Sequence, residues 1–206
     1  MLLPGDPGRA LRLAQALLET PPAMLNHHRG LWGYTGTAAD GAPLTIQSTG
    51  MGGPSAAVVV EELIMLGARR LVRVGTGRAL DPALALGSLV AANPVIGCDG
   101  TSRALGAAAR LTPDPDLADP LAARAAAAGP VVSVDLYYAE PTGLPADALA
   151  RDLEAAAVLS VAQSRGAAAA CVLLVAADTA GRRFDVDALH ASELELGRAG
   201  ASAFGL

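Results

Sequence analysis

Large rings are scarce in this chain of 206 residues. Aromatics make up 3%, and Trp32 is the single tryptophan. The hydrophobic fraction is nonetheless 52%, which excludes an intrinsically disordered chain. A core drawn from Ala, Val and Leu suits helices packed tightly on a sheet. Cysteine is nearly as sparse: Cys98 and Cys171 lie far apart in apolar runs. They fit no metal spacing, and buried free thiols are expected. Without a second His or Cys cluster, no metal site is expected. Like charges form no block. The net charge is −5 and the arginines are scattered, which argues against a nucleic-acid surface. No apolar run reaches the ~20 residues that span a bilayer. The start, "MLLPGDPGRA", lacks a basic segment followed by a long apolar one, so no signal peptide is expected. These absences point to a cytoplasmic protein without a membrane partner. The length suggests one domain, residues 1–206.

Glycine and short apolar runs are plentiful, and their order predicts alternating strands and helices. "GRALRLAQALLE" reads as a helix with Leu11, Ala14, Leu17 and Leu18 on one face. "LWGYTGTAADGAPLTIQST" reads as a hairpin turning at Asp40-Gly41. "SAAVVVEELIMLG" is a helix with Pro54 at its start and Gly67 at its end. "RRLVRVGT", "LGSLVAANPVIG", "GPVVSVDLYY" and "AAACVLLVAAD" read as strands. "PADALARDLEAAAVLSVAQSRG" and "DVDALHASELELGRAGASAF" read as helices. The alternation predicts a three-layer α/β fold.

In such sheets ligands bind at the carboxyl ends of strands. Five polar or Gly-rich tails fall at predicted strand ends: "PGDPGR", "STGMGGPS", "RVGTG", "DLYY" and "VAADTAG". Three arginines stand out: Arg9 after the first turn, Arg29 in the polar stretch "NHHRG", and Arg73. Arg73 lies inside the apolar strand "LVRVG", and a buried guanidinium needs an anion or a hydrogen-bonded partner. A phosphate suits several guanidinium forks at once. Arg9 and Arg29 read equally well as surface residues, and Arg73 also as half of a structural ion pair. Glu154 reads as a carboxylate near a helix N-terminus or as a site residue. Asp178 reads as a cap or turn aspartate or as a site residue. His27 and His28 are left open by spacing alone.

Taken in order, "LLPGDPGRA", "RGLWGYTGT", "STGMGGPSAAVVVEELIMLGARRLVRVGT", "DGTSR", "SVDLYY", "DLEAAA" and "VAAD" resemble the nucleoside phosphorylase-I family. That family includes bacterial hexameric purine nucleoside phosphorylases and uridine phosphorylases. The resemblance runs across nearly the whole chain and is tightest over residues 48–76. It implies a three-layer α/β/α sandwich around a central mixed sheet. It also implies phosphorolysis: inorganic phosphate attacks C1′ of a nucleoside and gives free base and ribose 1-phosphate. No cofactor is implied beyond phosphate as co-substrate.

Carried over by position, Gly5, Arg9, Arg73 and Thr76 match phosphate-binding residues. Arg29 matches an arginine supplied by a neighbouring subunit, which implies a homodimer or a hexamer built as a trimer of dimers. Met51 and Glu154 match ribose contacts, with Leu153 standing where methionine is usual. Asp152 replaces the more common glutamate, and its shorter reach weakens a ribose contact. Tyr137 matches an aromatic that packs on the base. Asp178 matches the general acid of the purine branch, which protonates N7 of the leaving purine. The Gln and Arg with which the pyrimidine branch clamps uracil are missing from "AEPTGLPAD", yet "STGMGGPSAA" and "DGTSR" look more like uridine phosphorylase. Weighting the base site over the scaffold favours purine. Arg78 stands where glycine is usual beside the base, and the chain is short between "DLYY" and "DLEAAA". The arginine that assists the purine general acid has no clear counterpart, although Arg182, Arg183 and His190 are near in sequence.

Overall fold

The computed structural model describes residues 1–19, 21–139 and 142–206. Ten strands and six α-helices are arranged among them. In chain order they are β1 (Leu2–Leu3), α1 (Pro7–Leu17), β2 (Ala23–Asn26), β3 (Gly33–Thr37), β4 (Pro43–Gln47), α2 (Gly53–Met65) and β5 (Arg70–Ala79). There follow β6 (Leu89–Gly97), α3 (Gly100–Ala104), β7 (Arg110–Leu111), α4 (Pro115–Arg124) and β8 (Ala127–Ser133). The chain finishes with β9 (Ala150–Asp152), α5 (Ala155–Ser164), β10 (Ala168–Ala177) and α6 (Val186–Ser202).

All the strands belong to one mixed sheet ordered β10-β6-β8-β9-β5-β1-β4-β3-β2, with β7 beside β6. The expected layering is present, with one addition. β10 also pairs with β5, in parallel, with Cys171 opposite Arg73. The strands β5, β9, β8, β6 and β10 therefore close into a ring, and β1, β4, β3 and β2 extend from it.

Alternation along the strands sorts their side chains to two faces. Val72, Val74, Val172 and Leu174 join a core with α1, α4 and α6. Leu71, Cys171 and Leu173 join the opposite core with α2 and α5. Arg73 thus shares the parity of Leu71 and sits where an apolar residue would otherwise be. Every residue of α5 from Ala155 to Ala162 is buried, as befits a helix that is apolar all round. Its alanines allow close packing without large rings.

Three expectations need correction. The run 145–166 is not one helix: β9 occupies Ala150–Asp152, and α5 begins only at Ala155. The strand expected over 129–138 ends at Ser133, so "DLYY" lies beyond it. The carboxyl ends of β1, β4, β5 and β10 do run the same way, but β8 does not follow them. It is parallel to β9, which is antiparallel to β5. No helix among the described residues is long and apolar enough to cross a membrane.

Candidate active site

Along the β1, β4 and β5 tails lies a cleft of about 510 Å³, within the range of roughly 300–1,000 Å³ usual for small-molecule sites. Gly5 and Arg9 border it from the β1–α1 turn, and Arg73, Thr76 and Arg78 from β5. Gly50 and Met51 border it from the glycine turn ahead of α2, and Leu153 and Glu154 from the turn between β9 and α5. Tyr137 enters from the loop beyond β8, and Arg29 from the 3-10 turn His28–Gly30.

Arg73 is the centre of the polar network and is 2% exposed. Its Nε donates to Asp152 Oδ2 at 2.9 Å, and its Nη2 to Glu154 Oε2 at 2.5 Å. Its Nη1 is buried with no hydrogen-bond partner. A buried, unmet donor of this kind costs about 1–3 kcal/mol. The arrangement leaves that donor for an incoming acceptor, since two carboxylates already fix the rest of the fork. Burial would lower the Arg73 pKa, but the charges of Glu154 and Asp152 outweigh it and hold the group protonated, above the usual arginine range.

Asp152 explains why a shorter acid stands in this position. Its Oδ1 accepts from Ser133 Oγ at 2.5 Å. Its Oδ2 accepts from Arg73 Nε and from the backbone N–H groups of Glu154 and Ala155, at 3.1 and 2.8 Å. Three donors fill Oδ2, while Oδ1 is held by Ser133 alone and keeps one acceptor position. Asp152 holds Arg73 and the start of α5, which commits most of its acceptor positions to structure. Glu154 differs. It takes the backbone N–H of Gly52 at 2.7 Å on Oε1 and Arg73 on Oε2, and each oxygen keeps a further acceptor position. Gly52 supplies this bond from φ +84°, a left-handed conformation that only glycine adopts freely. Burial pushes the Glu154 carboxyl up, and the Asp152 charge adds to this; Arg73 opposes both, and the net direction is upward.

Arg9 is also buried. Its Nε donates to Glu193 Oε1 of α6 at 2.8 Å. Sequence reasoning missed Glu193. Its one sequence mark is a place four residues before Gly197, which does not distinguish a buried acid from a solvated one. Met51, 87% exposed, stands at the rim of the cleft. Arg29 is exposed, with a left-handed φ of 56°, and borders the cleft of its own chain.

The base end differs most from expectation. Asp178 is not among the cleft-lining residues, although Ala176, Ala177, Gly181 and Arg183 on either side of it are. Its Oδ2 accepts from Arg182 Nε at 2.6 Å and its Oδ1 from the Arg182 backbone N–H at 2.9 Å. Burial pushes this carboxyl up, but the bonds and charge of Arg182 outweigh it and hold the pKa below the usual carboxylate value. Arg183 lies over the Tyr137 ring, 5.3 Å from its centroid, a cation–π contact. His27 and His28 stack on each other at 4.8 Å, outside the lining.

The sequence profile of the phosphorylase superfamily matches residues 1–204. A guanosine phosphorylase of Halorubrum lacusprofundi is 33% identical over 186 residues, covering 84% of this chain and 76% of that protein. A uridine phosphorylase of Treponema pallidum is 43% identical over 103 residues, which is 50% of this chain and 39% of the relative. A DeoD-type purine nucleoside phosphorylase of Clostridium perfringens is 44% identical over 93 residues, 45% of this chain and 39% of the relative. With these last two, the matched stretch spans less than half of the relative's length.

Proposed function

Because the chain belongs to the phosphorylase superfamily, among the nucleoside phosphorylases, we propose that it cleaves the N-glycosidic bond of a nucleoside with inorganic phosphate. The products are free base and ribose or deoxyribose 1-phosphate, and purine nucleosides are preferred. The observation that carries this reading is the buried, partnerless Nη1 of Arg73 in a cleft that also gathers Gly5, Arg9, Arg29 and Thr76. Phosphate is bound there, with Arg73 as the catalytic cation that holds the nucleophile as charge develops. Glu154 takes the sugar hydroxyls, with Met51 and Leu153 as its apolar walls. Tyr137 packs on the base beside Arg78. Holding nucleophile and sugar together supplies much of the rate by orientation.

Asp178 is the general acid of this proposal. The Asp178–Arg182 pair supports it by supplying an arginine beside the acid, the partner that the sequence did not single out. The carboxyl has to exchange Arg182 for the base and take up a proton before it can donate one. No cofactor takes part, and the site belongs to a cytoplasmic homodimer or trimer of dimers in which Arg29 is shared. A uridine phosphorylase is the second reading. It is favoured by the placement of the Asp178 carboxylate outside the lining and by the similarity to a named uridine phosphorylase.

Base release from inosine, guanosine, adenosine and uridine, each with and without phosphate, separates the readings. Phosphate-dependent purine release is expected; release from uridine alone rejects the purine assignment, and release without phosphate rejects phosphorolysis. Asp178→Asn is expected to lower purine turnover by about 10²- to 10⁴-fold, the usual worth of a general acid. An unchanged rate removes that role.

A further inference from the structure

Around Arg9 lies a charge cluster of which Asp6 borders the cleft, while Glu193 and Arg12 stand behind it. Glu193 is 1% exposed and takes two arginines at once. Its Oε1 accepts from Arg9 Nε at 2.8 Å, and its Oε2 accepts from Arg12 Nε at 2.9 Å and also from Arg12 Nη2. Arg12 Nη2 is also 3.7 Å from Asp6 Oδ1. Asp6 in turn caps α1 and accepts the backbone N–H of Arg9 at 2.6 Å. Arg9 is therefore flanked by two carboxylates, Glu193 against its guanidinium and Asp6 at its backbone. With Arg9 alone opposing them, this cluster would carry a net negative charge, which weakens its attraction for an anion. Arg12 brings the cluster to neutrality. Its side chain is 29% exposed, and it is not one of the cleft-lining residues.

We propose that Arg12 is a positioning residue for anion capture. By engaging Glu193 and Asp6, it leaves the charge of Arg9 available to phosphate while Glu193 keeps the Arg9 fork aimed. Glu193 then works as an anchor rather than as a competing counter-ion. The inference rests on the proposal that Arg9 binds phosphate.

The test uses Arg12→Gln, which keeps a good helix former at a partly exposed site. Thermal stabilisation is titrated with inorganic phosphate alone, and the KM values for phosphate and nucleoside are measured separately. The phosphate midpoint and phosphate KM are expected to rise about three- to tenfold, the scale of one unit charge acting over roughly 10 Å at intermediate dielectric. The nucleoside KM is expected to stay put. Arg12→Lys should restore most of the loss, since it returns the charge. Asp6→Asn added to Arg12→Gln should recover phosphate binding by removing one of the two carboxylates while keeping a capping side chain. A phosphate response within twofold of the parent overturns the role of Arg12, as does an equal rise in both KM values or failure of both rescues. Should the parent protein itself show no phosphate response, the phosphorolysis reading fails and this role falls with it. A normal parent response with an unaltered Arg12→Gln response removes only the inference.

Discussion

Two acids and one base share the centre of the cleft, and their burial gives Glu154 an unusual response to pH. The folded state raises its pKa above the ordinary 4.5 through burial and the neighbouring Asp152, against the pull of Arg73. A raised carboxyl keeps its proton longer in the folded state than in the unfolded one. Its stabilising contribution is then full below the ordinary value and is lost as pH rises through the folded value. Glu154→Gln mimics the protonated form at every pH. Melting curves across this range should show the variant gaining on the parent as pH rises above 4.5; a constant gap rejects this account. At this scale the sequence was informative about residue types. Arg73 was legible because a charge inside an apolar strand demands a partner. Glu193 and Arg12 were not, because a helix surface with scattered charges looks alike whether it faces water or a neighbouring arginine.

Helix α6 shows how an element delivers one of those residues. Glu193, Gly197 and Gly200 lie on one face of it, at spacings of four and three. A Cβ on Gly197 would overlap Leu13 of α1, and one on Gly200 would overlap Val74 of β5 and press on Leu2. The two glycines let α6 settle close enough for Glu193 to reach Arg9. Gly200→Ala should therefore lower the melting temperature by about 3–10 °C, from an overpacking cost of about 1–3 kcal/mol, and weaken phosphate binding as Glu193 is displaced. An unchanged melting temperature would show that the packing gives way freely. Most elements were legible from periodicity, including the hairpin at Asp40-Gly41 and helix α2. Strand β9 was hidden because Ala150-Arg151-Asp152 sits in a run of good helix formers, and only its pairing with β5 and β8 makes it extended. Strand β2 was missed because its four residues are largely exposed and carry no alternation.

For the whole molecule, the proposed sharing of Arg29 between subunits can be tested by complementation. The resemblance implies exchange between subunits, whereas within one chain Arg29 borders its own cleft. Arg29→Ala and Arg73→Ala, each inactive alone, should complement when co-expressed if the site is shared. In a randomly mixed dimer about a quarter of parental activity returns, since half the dimers are hybrids with one intact site each. No recovery places Arg29 in service of its own chain. Closure of the ring has a consequence for synthesis. Strand β5 ends at Ala79, yet its ring partners β9 and β10 begin at Ala150 and Ala168. As the chain leaves the ribosome, Arg73 therefore emerges long before Asp152, Glu154 and Cys171. Until the last third of the chain arrives, β5 waits with an unpaired flank and an unanswered cation. The nascent chain cannot join Arg73 to its two carboxylates early, and the long-range pairing that closes the ring makes that step a late one in folding.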